Sequence, residues 1–379
     1  MTKVVLIRAE SYDVNEVRGA VTRGMDLLGG AGKFARLGQK VLLKPNLLVG
    51  EVPDKCVTTH PAVFRAVAEL FIQTGASLSF GDSPSIGSTI GAAKKAGLLQ
   101  VAEELGIPEA DFSTPVDVFY EKGLQNRKFV IAKAVQDNDV IVSLPKLKTH
   151  AFEKYTGCVK NQFGCIPALR KTEYHIKLPN ADDFARMLVD LNELVKPALY
   201  IMDGIMSMEG NGPRGGKPRK TGIILLSKDP IALDATVCRL IDLDPELVPT
   251  IRYGHEAGAG KFREDEIELV GDDFLGFRMS TFDISRSPLK AYRLRGMMRF
   301  ASNRLVPKPA IVKEKCVSCG ECVALCPTKP KSVNWKTGDR TMPPVHNYGT
   351  CIRCYCCQEI CPEGAIIIKR PLIRRLIGS

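Results

Sequence analysis

Two cysteine runs constrain this chain more than any other feature: CVSCGECVALCP, Cys316 to Pro327, and CIRCYCCQEICP, Cys351 to Pro362. They hold nine of its thirteen cysteines, and both fit C-x2-C-x2-C-x3-C-P. Three thiols at that spacing let a tight loop aim its sulfurs at three corners of one iron-sulfur cube. The fourth, redirected by the proline, reaches the neighbouring cube. One cluster is therefore expected on Cys316, Cys319, Cys322 and Cys361, and the other on Cys351, Cys354, Cys357 and Cys326. Cys356 fits neither set and reads as a small buried hydrophobe beside a cluster. Zinc knuckles usually come as C-x2-C pairs with a longer gap between them, unlike these two four-cysteine runs.

From Ile311 to about Arg370 the sequence resembles bacterial-type ferredoxins carrying two 4Fe-4S clusters, and the apolar strand AIIIK (Ala365 to Lys369) fits that likeness. It departs where CPTKPKSVNW replaces the usual small-residue turn, which touches packing more than ligation. The resemblance implies one-electron transfer at potentials set by burial, charge and hydrogen bonds to sulfur. Val312 to Lys369 carries eight basic and five acidic residues. Two clusters would bring it to about −1, a small charge suited to docking on the rest of the same chain.

A chain of 379 residues with 45% hydrophobic content has material for about two domains. The N-terminus, MTKVVLIRAES, has too short an apolar run for a signal peptide, and no run approaches the ~18 apolar residues of a spanning helix. With its thiols in metal-ligand spacing, the protein is expected in a reducing, cytoplasmic compartment. The formal charge of +11 falls to about +7 once eight thiolates surround two cluster cores.

Residues 1–285 alternate short apolar strands with amphipathic stretches. Strands are expected at VVLI (Val4 to Ile7), VLLK (Val41 to Lys44), SLSFGD (Ser77 to Asp82), DVIVSLP (Asp139 to Pro145), ALYIMD (Ala198 to Asp203) and GIILLS (Gly222 to Ser227). Helical spacing links Val63, Val67, Leu70 and Phe71 up to Gly75, and Phe184, Leu188, Leu191 and Val195; Asp229-Pro230 opens a third helix through Ile241. The fold class is α/β, a layered, mostly parallel sheet domain followed by a small ferredoxin-like (α+β) domain. The expected division is an α/β domain over 1–285, a basic linker over 286–311, the two-cluster domain over 312–370 and a basic tail over 371–379.

In open α/β sheets ligands bind outside the carboxyl ends of the strands. Here those ends carry Lys44-Pro45-Asn46, Gly81-Asp82-Ser83, PKLKTH (Pro145 to His150) and Asp203-Gly204. Lys146, Lys148, His150, Asp82 and Asp203 are the candidate catalytic residues, with lysines to meet an anion and carboxylates to orient them or take a proton. Lys44, Asn46, Lys160 and Asn161 are the candidate cofactor-binding residues. GDSPSIGST (Gly81 to Thr89) could cradle an anion on its backbone N–H groups, and EGNGPRGGKPRK (Glu209 to Lys220) could close over a pocket or be a mobile turn. Neither matches a nucleotide fingerprint. His60 and His150 are weighed as proton donors against structural roles. Cys56, Cys158, Cys165 and Cys238 read as core.

Taken together, KPNLL, GDSPS, LPKLKTH, KNQFG (Lys160 to Gly164) and DGIMSMEGNGPRGG resemble the family named Domain of Unknown Function 362, whose members are often fused to a two-cluster ferredoxin region. The likeness implies membership and no particular reaction. Arg286 to Lys315 holds nine basic residues and one acidic, with Leu294, Met298, Ala301 and Leu305 at helical spacing. It reads as a linker helix packed on the body, or as a contact for an anionic membrane. Nucleic-acid binding has no stacking platform behind it.

The leading expectation is an iron-sulfur oxidoreductase, or its electron-input subunit, passing single electrons from two 4Fe-4S clusters to an anionic substrate or cofactor at the α/β site. The alternative is a non-enzymatic electron-transfer, redox-sensing or maturation module that docks a redox partner protein.

Overall fold

The computed structural model describes residues 1–288 and 306–369. The hydrophobic stripe from Leu294 to Leu305 and the tail over 371–379 lie outside the described residues.

One nine-stranded sheet organises the larger lobe. Its strands are β1 (Thr2–Arg8), β2 (Lys40–Pro45), β3 (Ser77–Phe80), β4 (Val140–Leu144), β5 (Lys146–His150), β6 (Lys154–Thr156), β7 (Leu199–Glu209), β8 (Lys217–Ser227) and β9 (Ile267–Gly271). They run in the order β9-β1-β8-β7-β4-β2-β3, with β5 beside β7 and β6 beside β5. Five strand pairs are parallel and three antiparallel, so the sheet is mixed but mostly parallel.

Both faces of the sheet are covered, which is why its strands read as continuous apolar runs. Side chains still alternate. Val4, Leu6, Leu42 and Ile141 point into one core, whereas Val5, Ile7, Val41, Leu43 and Val142 point into the other. Helices α1 (Val14–Leu27) and α2 (Pro61–Ile72) fill the second core. The first receives the short α3 (Cys158–Asn161), then α4 (Ala168–Lys177), α5 (Ala181–Val195) and α6 (Pro230–Leu240). Each fully buried Leu or Val in these layers contributes about 1.5–3 kcal/mol relative to exposure. Helix starts follow local chemistry: Asp229 caps α6 by accepting from the Ile231 and Ala232 amides, with Pro230 in the first helical position.

The structure differs from expectation at two places. PKLKTH does not simply end β4. After Pro145 the chain enters a new strand, β5, because β7 runs on past Asp203 and offers a further edge. The glycine-rich stretch from Glu209 to Lys220 is strand at both ends, at Glu209 and from Lys217 on, since β7 and β8 pair as an antiparallel hairpin of eleven residues each. Only Gly210 to Gly216 is left as a turn, and it is held against the smaller lobe rather than standing in solvent.

That lobe closes with β10 (Lys308–Ile311) antiparallel to β11 (Ile366–Lys369), so it begins before Val312 and takes in the end of the expected linker. Between them lie α7 (Glu321–Leu325) and α8 (Cys356–Ile360), packed on each other. Each helix is entered from a left-handed residue, Gly320 (φ 80°) and Tyr355 (φ 61°), at the same place in the two cysteine runs. The repeat in sequence is therefore a repeat in backbone.

Candidate functional site

Four thiols of the smaller lobe share one cavity: Cys316, Cys319, Cys322 and Cys361, three from the first run and the fourth from the second. Burial first, then the negative charge of Cys361, Cys319 and Cys316, pushes the Cys322 thiol up to about 12. Burial, followed by Cys354, Cys351, Cys322 and Cys326, likewise pushes Cys357 well up. Thiols held this close cannot all ionise unless a cationic core compensates them, so the donor set fits a 4Fe-4S group. The Ala365 amide donates to Cys361 Sγ at 3.3 Å, and His346 Nε2 lies 3.5 Å from Cys357 Sγ. Cys356 is buried beside Cys354 and faces a different cavity.

On the larger lobe, the polar strand ends meet at one edge of the sheet. β2 and β3 are parallel neighbours, which brings Lys44 Nζ to 2.9 Å from Asp82 Oδ1. Asp82 Oδ2 also accepts from the Leu47 amide. Lys146 and Asp203 are register partners in β5 and β7, and Lys146 Nζ lies 2.7 Å from Asp203 Oδ2. Tyr12 accepts from Lys146 and donates to Asp203, which takes the His60 amide as well. Both ion pairs are buried, and the two aspartates orient their lysines. Gly164 seals the first pair, since a Cβ there would sit 1.8 Å from Asp82 Oδ1 and 2.7 Å from Lys44 Nζ.

Lys146, Lys148 and His150 alternate along β5 and so share one face. Lys148 Nζ donates to Asn46 Oδ1 and to the Val57 carbonyl. Burial, reinforced by Lys146 and Lys160, pulls its pKa down to about 7. His150 Nδ1 accepts the Phe152 and Glu153 amides, which leaves the proton of the neutral ring on Nε2. That atom lies 3.1 Å from Glu359 Oε1 of α8, outside the angular range of a regular hydrogen bond. His60 is an N-cap for α2, accepting from the Ala62 amide and stacked 3.5 Å from Tyr12; burial pulls it down to about 4. Its role is structural.

A cavity of about 80 Å³ lies between the lobes. The larger lobe supplies Lys148, Lys160, His150, Asn161 and one side of Lys146 and Asp82; Lys44 and Asp203 stand behind the wall. Asn161 donates to Ser143 Oγ at 2.9 Å while its own Oδ1 is buried without a partner. The smaller lobe supplies Leu325 from α7 and Cys356, Glu359 and Ile360 from α8. Lys171 and His175, one turn apart on α4, and Phe163 also line the cavity and were not anticipated from sequence. Lys171 donates to the Ser83 carbonyl, and burial pulls it down to about 8. Nothing but their four-residue spacing marks these two residues in the sequence.

The lobes are fastened by the turn from Gly210 to Gly216. Asn211 donates to the Gly364 and Ile366 carbonyls, and Gln358 donates back to the carbonyls of Asn211 and Gly212. Arg214 donates to Glu51 at 2.6 Å, to Glu321 at 2.7 Å and to the Ile360 carbonyl. Gly215 lets the backbones touch, since a Cβ there would be 2.4 Å from Gly364 Cα.

Comparison with known proteins agrees with this two-part build. Residues 308–362 match the 4Fe-4S dicluster domain. A thylakoid-associated protein, sll1697, of Synechocystis sp. is 39% identical over 261 residues, covering 67% of this chain and 79% of its own. The lactate racemase apoprotein of Thermoanaerobacterium thermosaccharolyticum superposes with a TM-score of 0.41 at 13% identity, over 61% of this chain and 55% of that one, a likeness too distant to argue from. Among the described residues no helix is long and apolar enough to cross a membrane. Residues 41–239 match the domain of unknown function DUF362, and over more than half its length the chain belongs to that family.

Proposed function

We propose that this protein passes single electrons from two 4Fe-4S clusters to an anionic ligand held in the cavity between its lobes. One observation supports the reading above the others: α8, which carries Cys357, also presents Cys356, Glu359 and Ile360 to the cavity that Lys148, Lys160 and Lys171 line. When bound, the clusters supply one-electron transfer. The chain itself binds the ligand's charge through lysines, excludes water with Phe163, Leu325 and Ile360, and offers a neutral His150 as a hydrogen-bond donor through Nε2.

Anaerobic purification should yield about eight irons per chain. The interleaving is tested by Cys326→Ser and Cys361→Ser, each of which should impair the cluster whose other three thiols lie in the opposite run. Paramagnetic resonance of the reduced variants reads which signal goes. Loss confined to the cluster of the variant's own run would overturn the ligand assignment, and colourless protein holding zinc would overturn the redox role.

The name of the thylakoid-associated relative supports a second element of the proposal, contact between the basic segment 286–311 and an anionic membrane from the cytoplasmic side. Failure to float with anionic liposomes at low salt would remove it.

A further inference from the structure

Charge in the cavity wall does not balance. Lys44 and Lys146 each face a carboxylate of their own, so neither has charge to spare for a ligand. Lys148, Lys160 and Lys171 are different. Among the described residues none of the three has a carboxylate at ion-pair distance: Lys148 donates to Asn46 and the Val57 carbonyl, Lys171 to the Ser83 carbonyl, and Lys160 lies 4.9 Å over the Phe163 ring. Against these three ammonium groups the wall sets one further carboxylate, Glu359, beside a His150 whose Nδ1 is occupied as an acceptor. Glu153, fully buried outside the lining and influenced by Lys160, is pushed well above the usual carboxylate range by burial and so counts as neutral. A formal surplus of about two positive charges is left in a largely buried space, where uncompensated charge is costly.

The polar atoms facing this space are also incomplete. His175 Nδ1 is buried with no partner and can present an N–H to an anion, whereas the equally unpartnered Asn161 Oδ1 is an acceptor that calls for a donor elsewhere on the ligand; both residues are 5% exposed. The depressed pKa values of Lys148 and Lys171 have burial as their first cause; repulsion from Lys146 and Lys160 adds to it at Lys148, while at Lys171 the pull of Asp82 stands against repulsion from Lys44 and Lys160. A bound anion would relieve that repulsion.

We propose that the cavity binds a dianionic phosphoryl- or sulfuryl-type group, with Lys148, Lys160 and Lys171 as its three cationic donors. This rests on the reading of the same cavity as the electron acceptor's site, and it names the acceptor's charged end. A monoanionic carboxylate would leave one surplus charge unmatched and has two oxygens to share among three ammonium groups. A tetrahedral dianion matches the charge and presents an oxygen to each. The ligand's remaining atoms then fall toward Leu325, Cys356 and Ile360, on the side of the second thiol set.

The test is calorimetric titration of the full-length, cluster-loaded protein, kept anaerobic near neutral pH at constant ionic strength, with sulfate, inorganic phosphate, methyl phosphate and acetate. Sulfate or phosphate should bind at least about tenfold tighter than acetate. Methyl phosphate binding as tightly as phosphate assigns an ester of a larger molecule; phosphate alone assigns the free anion. Lys160→Ala and Lys171→Met should each weaken sulfate binding about tenfold or more with iron content unchanged, while Lys160→Arg retains it. Acetate binding as tightly as sulfate would overturn the proposal. So would absence of any anion binding to wild-type protein whose clusters still reduce, an outcome that leaves the electron-transfer reading standing. Clusters that bind iron but cannot be reduced, in protein that binds sulfate, would defeat that reading alone.

Discussion

Lys146 and Asp203 meet because β5 and β7 put them in register, and no spacing in the sequence carries that register. Of the four lysines singled out from sequence, Lys148 and Lys160 face the cavity without a carboxylate, whereas Lys44 and Lys146 are spent on buried pairs. Sequence reasoning grouped Lys44, Lys146 and Lys148, with Lys160, around one expected site but could not say which were already neutralised. The distinction is measurable. Lys146→Met strips the counter-ion from a fully buried Asp203 and should destabilise the larger lobe by about 3–5 kcal/mol in urea denaturation. Adding Asp203→Asn removes the orphaned charge and keeps one acceptor oxygen for the His60 amide, with the new amide nitrogen placed to donate to the Tyr12 hydroxyl oxygen. The double variant should therefore be more stable than Lys146→Met alone. Additive losses would mean that the two side chains do not interact as the geometry requires.

At the scale of elements, the long apolar strands and the periodic helices α2, α5 and α6 were legible, because burial on two faces and capping chemistry act locally. The short α3 was not, although it carries Lys160 and Asn161. Four residues have too few hydrogen bonds to hold a helix by themselves. Tertiary contact holds it instead: Asp234 of α6 accepts the Cys158 amide at 2.8 Å and the Val159 amide at 3.3 Å, and the Tyr155 hydroxyl lies 3.3 Å away. Burial raises Asp234 to about 7, and the amides it accepts pull the other way. Gly157 is needed at the entry, since a Cβ there would stand 2.0 Å from Asp234 Oδ1. Asp234→Ala should thus leave two buried amides unpaired, cost about 2–4 kcal/mol in thermal or urea unfolding, and free the start of α3. Hydrogen exchange of the Cys158 and Val159 amides reads the local part; protection unchanged from wild type would show that something other than Asp234 fixes the helix.

Over the whole molecule, the decisive contacts join surfaces that look ordinary in isolation. Nothing in the sequence sets Glu321, Gln358, Glu359 or Arg214 apart; only their docking shows that they build a cavity wall and a latch. Arg214 bears most of this junction, being buried and bonded to Glu51, Glu321 and the Ile360 carbonyl. Glu51 keeps Lys95 at 3.0 Å and Lys55 at 3.5 Å when the guanidinium is removed, so the larger lobe does not lose its only counter-charge. The loss falls on the interface, where Glu321 is 35% exposed and solvent discounts its share. Polar interfaces of this kind let lobes separate once a central contact goes. Arg214→Gln should therefore retain iron and each lobe's fold, yet split one calorimetric transition into two and lower the affinity of the cavity for sulfate, because Leu325, Cys356 and Ile360 no longer close it. A single transition at the wild-type temperature, with sulfate bound as before, would show that the hydrogen bonds of Asn211 and Gln358 suffice to hold the lobes and that Arg214 is dispensable to the cavity.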